Sequence, residues 1–95
     1  MVTLHIEHAI TDFGAWKQAF DRFADIRRDS GVLRHRVHRP QGDVCYVLIE
    51  LDFGTVEEAT KFRDFLTTRV WSTPANAPAL AGTPRSRLLD LVEQS

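Results

Sequence analysis

Four histidines stand among the 95 residues, and two of them have neighbours suited to proton transfer. His5 and Glu7 are two residues apart, so on a strand both project from one face. A carboxylate beside an imidazole fixes its tautomer and favours its protonated form, an arrangement fit for general acid–base catalysis. The same pair serves equally as a polar contact at an interface. His35 and Tyr46 form the second candidate pair: a phenol and an imidazole in an apolar pocket orient a carbonyl or phenolic ligand, or else satisfy a dimer contact. Glu50 is a third polar group for that pocket or an ion-pair partner. Trp71 opens a Pro/Ala-rich stretch, where it either walls an aromatic ligand or anchors the loop. His5, His35 and Glu7 are therefore the catalytic candidates, and Tyr46, Glu50 and Trp71 the ligand-binding ones.

Other chemistries find little support. His35 and His38 are spaced H-x-x-H, as are His5 and His8, but on a strand residues three apart face opposite ways. With a single cysteine, Cys45, no structural zinc site is expected and no internal disulfide is possible; the lone thiol fits a reducing cytosol. The chain has no Gly-rich phosphate loop, no G-x-S-x-G elbow and no C-x-x-C, which disfavours nucleotide hydrolysis, classical serine hydrolysis and dithiol redox chemistry. Arg27, Arg28, Arg34, Arg36 and Arg39 make one basic stretch without interleaved aromatics, and the net charge is −1. That balance disfavours nucleic acid and anionic membranes as partners. No apolar run approaches the roughly 18 residues of a membrane span, and the start shows no export signal.

The elements that must position these groups follow from periodicity. Apolar residues make up 43 % and charged residues 26 %, a composition for one small folded domain over residues 1–95. Val2, Leu4 and Ile6 alternate with Thr3, His5 and Glu7, which predicts a half-buried strand over Val2 to His8. Asp12 is an N-cap, and Phe13, Trp16, Phe20 and Phe23 line one face of a helix running to about Asp29, where Ser30-Gly31 stops it. Strands are predicted over Val32 to Arg39 and Val44 to Asp52, joined by a turn at Pro40-Gln41-Gly42-Asp43. Thr55-Val56-Glu57-Glu58 is a capping box, opening a helix that buries Ala59, Phe62, Leu66 and Val70. Pro74, Pro78 and Pro84 argue for loop with at most a short turn, before a last strand over Arg85 to Val92.

The order β-α-β-β-α-β, with right-handed crossovers, gives an α+β ferredoxin-like sandwich: an antiparallel sheet ordered 4-1-3-2 with both helices on one face. Pairing Arg39 with Val44 places Val32, Arg34, Arg36, His38, Cys45, Val47, Ile49 and Leu51 on the helix-covered face. Leu33, His35, Val37, Val44, Tyr46, Leu48 and Glu50 then occupy the other. The third strand is apolar on both sides, which predicts a homodimer stacked through the uncovered face.

Thr11-Asp12-Phe13-Gly14-Ala15-Trp16-Lys17 with Phe20-Asp21, and Val47-Leu48-Ile49-Glu50-Leu51-Asp52-Phe53 running into Thr55-Val56-Glu57-Glu58-Ala59 and Phe62, resemble the dimeric α/β-barrel superfamily. Antibiotic-biosynthesis monooxygenases, polyketide cyclases, muconolactone-isomerase-like enzymes and stress-responsive barrel proteins belong to it. The resemblance implies a homodimer with a small-molecule cavity between sheet and helices in each subunit. Cofactor-independent cyclase, isomerase or monooxygenase chemistry on an aromatic or polyketide-like molecule would suit such a cavity, with His5 or His35 moving the proton. A non-catalytic ligand-binding or stress-responsive dimer is the alternative. The monooxygenases of the group commonly involve an Asn, a Trp and a His; here Asn76 is the only asparagine and sits in a predicted loop, which counts against oxygenase chemistry.

Overall fold

The computed structural model describes all residues 1–95. Strand β1 spans Val2–Ile10, and its residues alternate between buried and half-buried along the whole length. The predicted first helix is divided into α1 (Phe13–Arg22) and α2 (Ala24–Asp29). Asp12 caps α1, its Oδ2 accepting from the Ala15 amide at 2.8 Å. The break falls at Phe23, whose amide donates to Phe20 O at 3.2 Å in a tightened turn; the Arg27 guanidinium donates to the same carbonyl at 2.6 Å. With its acceptor capacity so used, Phe20 does not continue the helical ladder. The aromatic spacing foretold the buried face and not this interruption.

Strands β2 (Val32–His38) and β3 (Tyr46–Phe53) flank a connection that turns at Pro40, where the Asp43 amide donates to the carbonyl at 3.1 Å. Helix α3 (Val56–Phe65) starts at Thr55, whose Oγ1 accepts from the Glu58 amide at 3.2 Å. It passes into a π-helical turn at Leu66–Val70, closed by Trp71 N donating to Leu66 O at 2.7 Å. Strand β4 (Leu80–Asp90) completes an antiparallel sheet ordered β2-β3-β1-β4, the predicted order read from the opposite edge.

β4 begins well before the predicted Arg85 and passes through Pro84. It is an edge strand, where a missing N–H is tolerated, and it carries a bulge. Glu7 pairs with Arg85 and Ala9 with Ala81, so Gly82, Thr83 and Pro84 together oppose His8. Gly82, at φ +78°, supplies the left-handed residue of this bulge.

The hairpin register differs from expectation. His38 pairs with Leu48, Arg36 with Glu50 and Arg34 with Asp52, after a wider connection than a four-residue turn. An odd offset turns the β2 side chains from Arg34 to His38 to the other face, while the irregularity between Val32 and Arg34 leaves Val32, paired with Phe53, on the helix side as expected. His35 and Val37 therefore lie on the helix side, and Arg34, Arg36 and His38 on the uncovered side. Cys45 precedes β3 in the connection and is exposed, not packed under the helices. The core sits between sheet and helices: Leu4, Val47, Leu51 and Phe53 are almost fully buried, with Trp16, Ala59 and Phe62 pressed on them from above.

Candidate functional site

The covered side of the sheet contains a cavity of about 80 Å³. Ile6, His8, Ile49 and Leu51 form its floor, Trp16 and Phe20 of α1 its roof, and Phe62 and Phe65 of α3 one wall. The π-helical turn brings Leu66, Val70 and Trp71 to it, and Asn76 to Ala79 close the remaining side. Rings dominate this lining. Trp16 stacks on Phe20 at 4.9 Å between centroids and tilts against Phe13 at 5.8 Å. Three polar side chains break the apolar surface: His8, Arg27 and Asn76.

His8 is 5 % exposed. Its Nδ1 lies 3.0 Å from the Ala9 carbonyl, which makes Nδ1 the N–H donor and leaves Nε2 as the basic nitrogen. No buried side-chain nitrogen or oxygen in the chain lacks a partner, so Nε2, which makes no internal bond, faces open space. Burial holds the imidazole below the ordinary histidine range, with the Ala9 carbonyl pulling weakly the other way. His8 is thus neutral near pH 7, with its proton on Nδ1, and Nε2 free to accept one. Asn76 is held by its Nδ2 donating to Arg69 O at 2.7 Å.

The candidates chosen from the sequence divide between two places. Trp71 lines the cavity. His35 stands on the covered side at the edge strand, its ring 5.5 Å from Phe20 at 60°. Desolvation of that ring, then the charges of Arg27 and Lys17, lower its pKa against the opposing Asp21. His5, Glu7, Tyr46 and Glu50 are on the uncovered face, so His35 and Tyr46 lie on opposite faces of the sheet.

That uncovered face is a bonded polar array. His5 Nε2 lies 2.9 Å from Glu7 Oε2 and Nδ1 3.3 Å from Glu50 Oε2. Tyr46 donates to Glu7 Oε1 at 2.7 Å, and Arg85 reaches the same carboxylate at 3.7 Å. The His5 bond, followed by that of Tyr46, lowers the Glu7 pKa in spite of desolvation. Next along β3, Asp52 is 2 % exposed and accepts from Thr3 Oγ1 at 2.7 Å, Arg34 Nε at 2.8 Å and Arg36 at 3.2 Å. Burial alone would raise Asp52, but these donors and the Arg36 charge hold it far below the carboxylate range. The third strand is therefore half polar on this side: Leu48 and the Tyr46 ring are the apolar share, not a continuous greasy stripe.

No group of three His, Cys, Asp or Glu side chains is placed to hold a metal ion, and no helix is long and apolar enough to cross a membrane. His8 is not among the catalytic candidates that the sequence suggests, since its H-x-x-H spacing from His5 leads to no metal site. The available signal was its apolar-face position in the β1 alternation, an imidazole where Val, Leu or Ile belongs.

No family model matches the chain, and no curated protein does. Solved structures do. SnoaB, a cofactor-independent oxygenase from Streptomyces nogalater, is 19 % identical with a TM-score of 0.73, covering 98 % of this chain and 94 % of its own. An antibiotic biosynthesis monooxygenase superposes at TM-score 0.69 with 12 % identity, over 98 % of this chain and 100 % of the other. A dimeric ferredoxin-like protein from an uncultured marine organism gives 0.67 at 10 % identity, over 99 % and 97 %. The chain has the ferredoxin-like fold. At these identities the likeness is one of fold, and the side chains in the cavity have to be read for themselves.

Proposed function

We propose that this protein is a homodimer that binds a small aromatic or polyketide-like molecule in the cavity between sheet and helices, and that His8 moves a proton there without a cofactor. The observation carrying this reading is a ring-lined cavity with one neutral imidazole, its Nε2 open to the space. A base of this kind removes a proton from a phenol or an activated C–H in an apolar surrounding, where the resulting anion is strongly nucleophilic. That step begins a cyclisation, an isomerisation or a reaction with dioxygen alike. The residue types that the resemblance implies for oxygenases, Asn, Trp and His, meet at this cavity as Asn76, Trp71 and His8. His5 and Glu7, with Tyr46 and Glu50, belong in this reading to the interface between subunits.

The cavity volume limits the ligand. An engineered apolar cavity of about 150 Å³ takes up benzene, so about 80 Å³ admits a single ring with some yielding of the wall. The dimer is supported by surface as well as by likeness. The accessible area of 6114 Å² exceeds the roughly 5,500 Å² of a compact monomer this size. Leu33, Val44, Leu91 and Val92 are exposed large apolar residues that a second copy would cover.

Phloroglucinol tests the proposal, because its ring protons exchange with solvent deuterium only through carbon protonation. The expected result is accelerated exchange by proton NMR with the wild-type protein, lost in His8→Ala and retained in His5→Ala. Saturable quenching of Trp71 and Trp16 fluorescence with no acceleration would instead favour a ligand-binding dimer without catalysis.

A further inference from the structure

Arg27 is the one cation in the cavity wall and is 6 % exposed. Its Nη1 donates to the Phe20 carbonyl at 2.6 Å, and its guanidinium carbon lies 3.6 Å from the centre of the Phe20 ring. No carboxylate is paired with it. Lys17 holds Asp21 at 2.6 Å, and Arg28 takes both Asp25 and Asp29. The remaining charged or titratable neighbours felt at this corner are Lys17 and His35, neither of which offsets a positive charge. Burial depresses the Arg27 pKa, with the Asp21 charge opposing, yet a guanidinium stays protonated near neutrality.

A cation removed from water needs a counter-charge or a full set of acceptors. One carbonyl and one ring face are a partial set. Nε and Nη2 have no partner in the chain, and since no buried side-chain nitrogen is left unpartnered, both reach open space. Two adjacent guanidinium N–H edges with no acceptor match the fork that receives a carboxylate.

We infer that the cavity takes its ligand as an anion, a single-ring aromatic carboxylate whose oxygens are received by Arg27. The inference rests on the cavity being the ligand site and adds the charge of the ligand to it. Trp71 and Phe62 wall the ring, Arg27 holds the acid group, and His8 stands on the floor beneath them.

Benzoate and benzamide provide a matched pair, equal in size and differing in charge. Tryptophan fluorescence titrations at pH 7.5 are expected to show benzoate binding about tenfold or more tighter than benzamide, the scale of a hydrogen bond to a charged group. Arg27→Met is expected to abolish that preference, benzoate then binding no tighter than benzamide. Arg27→Gln, which keeps a donor for the Phe20 carbonyl, serves where the Met variant does not fold. Equal binding of the two ligands by the wild type, or a benzoate preference that survives either substitution, overturns the anion inference and leaves the cavity reading standing. Failure of both ligands to bind overturns the two together.

Discussion

The imidazole of His8 meets the indole of Trp16 edge to face, with ring centroids 6.4 Å apart and planes inclined at 62°. Strand β1 supplies one ring and helix α1 the other, so the geometry of the base depends on how the helix layer sits on the sheet. A histidine alternating with Leu4 and Ile6 would be a packing defect in a solid core. Beside a cavity it is a base shielded from bulk water, and its neutrality has consequences for stability.

Because folding lowers the His8 and His35 pKa values, the unfolded chain binds more protons than the folded one below the ordinary histidine value of about 6.5. Stability is therefore complete above that value and declines as pH falls beneath it. Urea unfolding between pH 5 and 7.5 should show this decline, a shallower one in His8→Gln, and almost none in His8→Gln/His35→Gln. A His8→Gln protein with the wild-type slope would mean that the imidazole is not desolvated.

Asp52 behaves as a carboxylate held ionised by its donors. Its lowered pKa contributes stability that is present above the ordinary carboxylate value and lost as pH falls through the folded one. Asp52→Asn removes the counter-charge of Arg34 and Arg36, both substantially solvated, and should cost about 2 kcal/mol at pH 7. Its acid-unfolding curve should also be flatter below pH 4 than that of the wild type. Circular dichroism across an acid titration measures both.

Leu48 lies on the uncovered face, opposite Glu7 on one side and His38 on the other. If that face meets its copy in a second subunit, Leu48→Arg brings two new charges together at the two-fold contact. Sedimentation velocity should show a wild-type dimer and a folded Leu48→Arg monomer. A wild-type monomer at micromolar concentration would remove the proposed interface.

Gly31 ends α2 at φ +102°, with the Glu58 carboxylate of α3 packed against it. A methyl group there meets only the end of the exposed Glu58 side chain, which can swing aside, so its main effect is to strain a left-handed backbone. Gly31→Ala and Gly42→Ala, at φ +102° and +82°, should each lower stability by about 1 kcal/mol, Gly31→Ala slightly more because the Glu58 carboxylate must leave its place beside Thr55. Thermal melts of the two variants side by side check that the left-handed backbone dominates at both positions; a much larger loss at Gly31 would mean that Glu58 cannot move.

Much of this architecture is written locally. Asp12 and Thr55 mark helix starts through their own side-chain oxygens, and the two-residue and three-to-four-residue apolar periods identify β1, α1 and α3. Crossover handedness then ordered the sheet. The candidate site was less legible. His8 carried a visible signal as a polar residue on an apolar face, and Arg27, four residues after Phe23, continued the spacing of the aromatic face, though the helix break at Phe23 weakened that mark.

Alternation alone decided that His5 and Glu7 share a face opposite Val2, Leu4 and Ile6, because side-chain direction along a strand depends only on parity. Which residues of β2 look toward the helices was decided by tertiary structure: the connection widened, the pairing moved by an odd number of residues, and His35 parted from Tyr46. The cavity belongs to the same class. It exists because the π-helical turn carries Trp71 inward, the β4 bulge opens opposite His8, and α1 breaks at Phe23 to bring Arg27 beneath it. Each is a departure from regular geometry that balances contacts between segments far apart in the chain, and no local pattern of residues contains that balance.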